Sequence, residues 1–154
     1  MAAVHLQMKL SPSDRIAAVI KEREQYMKFE ELYQQAKSVL NPRRLSEDAE
    51  AGGVGAALLT ASATVYTGVC IDTRCSMGFC AEHAAAAAMV TAGEHRVTKM
   101  VAVNWDGNVL APCGRCREFI SQLHTDNFTA EVMIDREKVV TLRDLLPFDW
   151  RGTA

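Results

Sequence analysis

Three cysteines and one glutamate stand where they could do chemistry. Cys80 and Glu82 lie in "GFCAEH", and Cys113 and Cys116 lie in "LAPCGRCREF", with 33 residues separating the first cysteine from the second. Cys80 heads the alanine run Ala84 to Ala88, and Cys113-Gly-Arg-Cys116 opens a second helical stretch. Free backbone N–H groups and the dipole at a helix N-terminus favour thiolate over thiol. If the two helices lie side by side on one sheet, their N-termini converge and three thiolates face one point. Such a soft donor set suits Zn²⁺. Three protein ligands leave a tetrahedral ion one open position, the mark of a catalytic rather than a structural zinc. Water in that position has its pKa lowered towards ~7. Glu82, two residues after Cys80, reaches that water without being a ligand, which is the place for a general acid/base.

The same residues admit other readings. A C-x-x-C pair alone fits a redox couple or half of a structural zinc site as readily. A redox pair belongs after the first strand of a βαβ unit, whereas this one follows "NWDGNVLAP" late in the chain and leaves a third cysteine unexplained. A structural zinc needs a fourth ligand, from Cys75, His83 or His95, and leaves Glu82 without a purpose. Cys70 and Cys75 read as small core or pocket residues, and His5, His95 and His124 as surface residues. Gly52-Gly53-Val54-Gly55 lacks the Lys-Ser/Thr sequel of a phosphate loop and reads as a strand-entry turn. Trp105 and Trp150 read as packing residues.

The elements that must position these groups follow from pattern. "SPSD" at 11–14 starts a helix, with Ser11 as N-cap and Pro12 at the first helical position. Apolar residues from Ile16 to Leu40 recur at helical spacing, as one rod or two shorter helices, until "NP" at 41–42. After a loop over 41–53 come two strands, Val54–Leu59 and Val65–Ile71. The alanine helix spans 80–93 and is closed by Gly93. "KMVAVNW" is a buried strand, "DGN" a tight turn, and a third helix runs from Cys113 to His124. "AEVMID" and "KVVTL" are further strands, and "LRDLLPF" a short terminal helix. This alternation predicts an α/β fold with helices on both faces of a sheet.

Composition narrows the class. At 154 residues the chain is expected to be a single domain overall, divided into an N-terminal helical segment and loop (1–50) and a core (51–154). Its 17 basic against 19 acidic residues give a net charge of −2, which argues against a nucleic-acid partner. No apolar run reaches about 18 residues and "MAAVHLQMKLSPSD" lacks a signal-peptide core. A cytoplasmic address with no membrane partner is therefore expected, and in a reducing compartment the cysteines read as metal-binding or catalytic.

With Cys80-Ala81-Glu82 and Pro112-Cys113-Gly-Arg-Cys116-Arg117 in view, the chain resembles the cytidine deaminase family, in its three-cysteine, usually homotetrameric branch. The likeness runs from "GVGAALLT" to "LRDLLPFDW". It implies a three-layer α/β/α sandwich with a five-stranded mixed sheet. It also implies hydrolytic loss of the amine from C4 of cytosine in a cytosine nucleoside or analogue, a pyrimidine-salvage reaction. Cys80, Cys113 and Cys116 match the zinc ligands and Glu82 the proton shuttle. The backbone around Ala81 matches the segment that pairs with the pyrimidine ring, and Arg117 the arginine that offsets thiolate charge. A second arginine after the glutamate is His83 here. Where the family carries Asn-Val-Glu to hold the ribose 3′-hydroxyl, this chain has Cys70-Ile71-Asp72, and the family's pocket phenylalanine is Gly52. Chemistry is thus expected to be intact and ribose recognition altered. Blasticidin S deaminases share a tail like "LLPFDW", so a nucleoside antibiotic or N4-modified cytosine is an alternative substrate. A noncatalytic zinc-stabilised module is the rival of another class.

Overall fold

The computed structural model describes residues 11–151; His5 lies outside them. The chain folds as helices α1 (Pro12–Tyr26) and α2 (Phe29–Ser38), then strands β1 (Arg43–Arg44), β2 (Ala49–Thr60) and β3 (Val65–Thr73). Helix α3 (Ala81–Thr91), strands β4 (Val97–Asn104) and β5 (Val109–Leu110), helix α4 (Gly114–Leu123) and strands β6 (Glu131–Asp135) and β7 (Lys138–Thr141) follow. Single 3₁₀ turns occupy Arg74–Ser76 and Thr125–Thr129.

The start signal at Ser11 works as read. Its Oγ accepts the Asp14 N–H at 3.2 Å, and Asp14 Oδ2 accepts the Ser11 N–H at 3.3 Å, a reciprocal cap. The N-terminal helical pattern is two helices, broken at Met27–Lys28. The expected terminal helix is a correction: Leu142–Leu145 form a turn instead. Thr141 and Asp144 exchange backbone and side-chain hydrogen bonds there, and Pro147 follows. These local bonds compete with helix propagation.

Five strands of four residues or more run in the order β3-β2-β4-β6-β7, with two-residue β1 and β5 added to β2 and β4. Only β4 and β6 pair in parallel; the other pairs are antiparallel, so the sheet is mixed. Alternation along each strand sends successive side chains to opposite faces. Leu58, Met100 and Val132 meet Ala85, Ala86 and Met89 of α3 and Ile120 of α4 in one buried cluster. Their neighbours Ala57, Leu59, Val101, Val103 and Met133 meet Leu32, Tyr33 and Ala36 of α2 in another. The three layers are therefore α2, sheet, and the α3/α4 pair.

Helix α3 rests directly on β3, and the missing side chain of Gly68 permits the contact. A Cβ at this position would lie 2.3 Å from Ala85 N and 2.6 Å from Ala84 Cβ. The alanine run gives the helix surface the matching shallowness. The Schellman-like end at Gly93 (φ +87°), where Glu94 N–H bonds Met89 O, fixes the other end of the helix. Gly68→Ala is expected to force the helix outward and cost about 3 kcal/mol, at the upper end for overpacking. Denaturant unfolding at unchanged slope would measure this as a lowered midpoint.

Candidate active site

Cys80 is the N-cap of α3 and Cys113 the N-cap of α4, both in extended backbone; Cys116 lies in the first turn of α4. Because α3 and α4 lie on the same face of the sheet, their N-termini meet, the condition on which the three-thiolate reading rested. Cys80 Sγ is 3.7 Å from Cys113 Sγ, Cys113 Sγ is 3.5 Å from Cys116 Sγ, and all three sulfurs lie within 4.8 Å of one another. A tetrahedral zinc with sulfurs at ~2.3 Å sets them roughly 3.8 Å apart, so the observed spacing fits the ion. The charges ask for it too. Burial pushes the Cys80 and Cys116 thiols up, and for Cys116 the Glu82 carboxylate and neighbouring sulfurs push further the same way. Cys113 is also pushed up by burial, but hydrogen bonds from the Cys116 backbone and the neighbouring thiols outweigh this and leave it low. Three thiolates side by side are stable only around a cation. Cys70 and Cys75, with all five cysteines free of disulfides, stand outside this cluster.

The cluster opens into a cavity of about 510 Å³ whose wall includes Cys80, Ala81, Glu82, Cys113 and Arg115. Glu82 is only 4% exposed. Burial holds its carboxyl above the ordinary range, partly opposed by its own backbone N–H and by the Cys116 thiol. A carboxylate with a raised affinity for protons, beside a metal site, is suited to carry one. Ala81 is fully buried against Ala56 and Ala102, so its backbone forms a fixed part of the cavity floor.

His83 and Arg117 both lie beside the cysteines at the head of α4. The His83 ring stacks on Phe119 (centroids 4.5 Å apart, planes at 11°), and its Nδ1 lies 3.4 Å from Cys116 Sγ. Burial, with the nearby Arg115 charge, holds His83 towards its neutral form. Arg117 donates to the carbonyls of Pro112 (2.7 Å) and Leu145 (3.3 Å), tying the C-terminal turn to the head of α4.

The strand side of the cavity holds Cys70 and Asp72 of β3 together with Val54 of β2. Cys70 Sγ accepts the Val54 N–H at 3.3 Å and donates to Asp72 Oδ2 at 3.6 Å. Gly52 sits at φ +83° in the register shift of β2, and a Cβ there would lie 2.0 Å from Asn41 O. No side chain fits at 52 along this loop path, and Gly52 does not line the cavity. Phe79 and Leu110 also line the cavity. Phe79 was legible in principle from its place beside Cys80. Leu110 reaches the site only through the β4–β5 pairing, which no local signal announces.

Comparison with known proteins decides the family. The sequence profile of the cytidine and deoxycytidylate deaminase zinc-binding region matches residues 27–132. The chain belongs to that family. It is 34% identical over 96 residues to a cytidine deaminase of Mycobacterium tuberculosis, spanning 61% of this chain and 69% of the relative. The fold matches the crystal structure of cytidine deaminase from Mycobacterium tuberculosis with a TM-score of 0.68 at 27% identity, covering 82% of this chain and 99% of the other. It also matches cytidine deaminase from Burkholderia pseudomallei, with a TM-score of 0.65 at 26% identity, covering 80% and 100%. Membership in this zinc-binding family and the three-thiol cluster agree on the cofactor, Zn²⁺.

The purified protein is expected to bind one zinc per chain. At zinc activity a hundred times its dissociation constant, unfolding should be harder by about 2.7 kcal/mol. Cys113→Ala should lose most of that increment, which thermal unfolding with and without a chelator measures.

Proposed function

We propose that this chain is a zinc-dependent hydrolytic deaminase that converts cytosine nucleosides to the uracil form and ammonia. The observation that carries this reading is the buried carboxylate of Glu82 in the same cavity wall as three converging thiols. Cys80, Cys113 and Cys116 would hold the zinc, which supplies the Lewis acidity that makes water a nucleophile at neutral pH. Glu82 takes a proton from that water and passes it to N3 of the ring. As the water oxygen bonds to C4, Glu82 takes the remaining proton of that new hydroxyl and delivers it to the exocyclic nitrogen; the C4–N bond breaks, ammonia leaves and C4 becomes the carbonyl of the uracil form. The buried backbone at Ala81 orients the ring against the floor of the cavity. Neutral His83 supports Cys116, and Asp72 accepts hydrogen bonds at the sugar end.

The proposed setting is cytoplasmic pyrimidine salvage. Among the described residues no helix is long and apolar enough to cross a membrane, and the net charge of −2 supports a small-molecule rather than a nucleic-acid partner. Residues 51–154 carry every proposed site residue, and α2 from the first 50 completes the sheet's second layer. A homotetramer is proposed from the family likeness alone, and the exposed Met77 (79%) and Phe79 (37%) are apolar surface open to such a contact. Light scattering should give about four times the 16.9 kDa chain mass; a monomer at micromolar concentration would rule the assembly out.

Glu82→Gln should keep its zinc and its melting temperature while ammonia release from cytidine drops by about 10²–10⁴-fold, the range for a lost acid/base group. Retained turnover in a zinc-loaded Glu82→Gln protein would overturn the mechanism.

A further inference from the structure

Helix α4 carries Cys116 and Phe119 three residues apart, so both side chains stand on one face. One side chain of α3 touches them both. The His83 ring lies on the Phe119 ring, with centroids 4.5 Å apart and planes at 11°, and its Nδ1 is 3.4 Å from Cys116 Sγ. Both rings are half-buried, and neither lines the cavity. They therefore reach the chemistry only through the sulfur.

The contact has a direction once the metal is bound. A zinc-bound cysteine is a thiolate with no hydrogen to give, so the hydrogen between Cys116 and His83 must belong to Nδ1. A neutral ring then carries none on Nε2. Few poses of the ring meet this demand. Rotation about the Cβ–Cγ bond of histidine is broad, and a ring turned away offers the sulfur a carbon edge or its π face. The near-parallel stack fixes the ring plane. It leaves the observed pose and its half-turn, and the observed pose is the one with Nδ1 at the sulfur. Phe119 is itself anchored, packed against the buried cluster that holds Ala85, Ala86 and Ile120.

From the zinc site alone, whatever reaction it serves, we infer that Phe119 is a positioning residue of the metal centre: its stack holds His83 as the Nδ1–H tautomer donating to Cys116. A hydrogen bond to a thiolate draws charge from a sulfur that shares its ion with two others. Zinc is held more tightly as a result.

The test is the nitrogen-15 spectrum of the zinc-loaded chain, which separates a protonated ring nitrogen from a bare one by chemical shift. The His83 signals are those absent from His83→Ala. Nδ1 is expected protonated and Nε2 bare; the reverse pattern, or a ring protonated on both, overturns the inference. Zinc dissociation constants from chelator competition give the second readout. Phe119→Leu keeps an apolar side chain but removes the ring, and zinc is expected to bind about tenfold more weakly, the lower end for a lost partner of a ligand. Phe119→Tyr keeps the stack and should stay within about twofold of the wild type. In a His83→Ala background, Phe119→Leu should change the affinity by no more than about twofold. An equal loss in both backgrounds would make Phe119 a packing residue only and overturn the inference. If Phe119→Leu does not fold, the tautomer of the unaltered chain still decides. Neither readout needs turnover, so failure here leaves the deaminase reading standing.

Discussion

The site depends on how closely α3 lies to β3. A zinc ligand set assembled from two helices tolerates little error, since sulfur positions must agree to a few tenths of an ångström. Gly68 lets the backbone of α3 come down onto the strand, and any side chain there would collide with the backbone at Ala85. The alanines meet this contact with a shallow, rotamer-free surface, so the helix has one depth at which it packs. That depth sets the height of Cys80 and Glu82 above the sheet. Helix α4 comes to the same level by packing beside α3, with Ile120 in the shared core. Packing thus sets ligand geometry, and the ligands themselves are only as good as the helix seats.

Electrostatics explain why this arrangement needs its ion. Three thiols and a buried carboxylate are crowded together, and the mutual effect on Cys116 is upward from every neighbour. The family resemblance leads one to look for arginines that relieve this. Arg117 donates to the carbonyls of Pro112 and Leu145, and neutral His83 offers at most one ring hydrogen to Cys116. Charge relief therefore falls mainly to the metal. The arginine left in the cavity wall, Arg115, donates to Gly78 O and is open to solvent. It serves the loop before Cys80 more than the thiols.

Much of the chemistry was legible in the chain because each part is local. An N-cap cysteine, a glutamate two residues on and a C-x-x-C at a helix head are all short-range patterns, and the alternating strands showed a sheet covered on both sides. What was not legible depends on pairing across the chain. Strand β2 begins at Ala49 rather than Val54, because residues before the Gly52 irregularity find partners in β1 and in the end of β3. Leu110 enters the cavity through a two-residue strand, and Cys70 is tied to Val54 across the β2–β3 pair. The turn after β7 shows a third kind of failure. Helical propensity in "LRDLLP" yields to the Thr141–Asp144 bonds, a competition that propensity alone does not register.

The cavity therefore has two halves with different freedom to change. Its chemical half is carried by helix N-termini, where moving one ligand means moving a packed helix. Its recognition half is carried by side chains on strand surfaces, where Cys70, Asp72 and Phe79 can be exchanged with little effect on the frame. Gly52 shows the limit of that freedom. Its φ of +83° and its contact with Asn41 exclude a side chain, so an aromatic wall there would require the loop from Asn41 to move as well. Change in the strand side of the cavity is therefore left to β3. There the Cys70–Asp72 contact means that both side chains must be altered together, since replacing Cys70 alone also releases the carboxylate it holds.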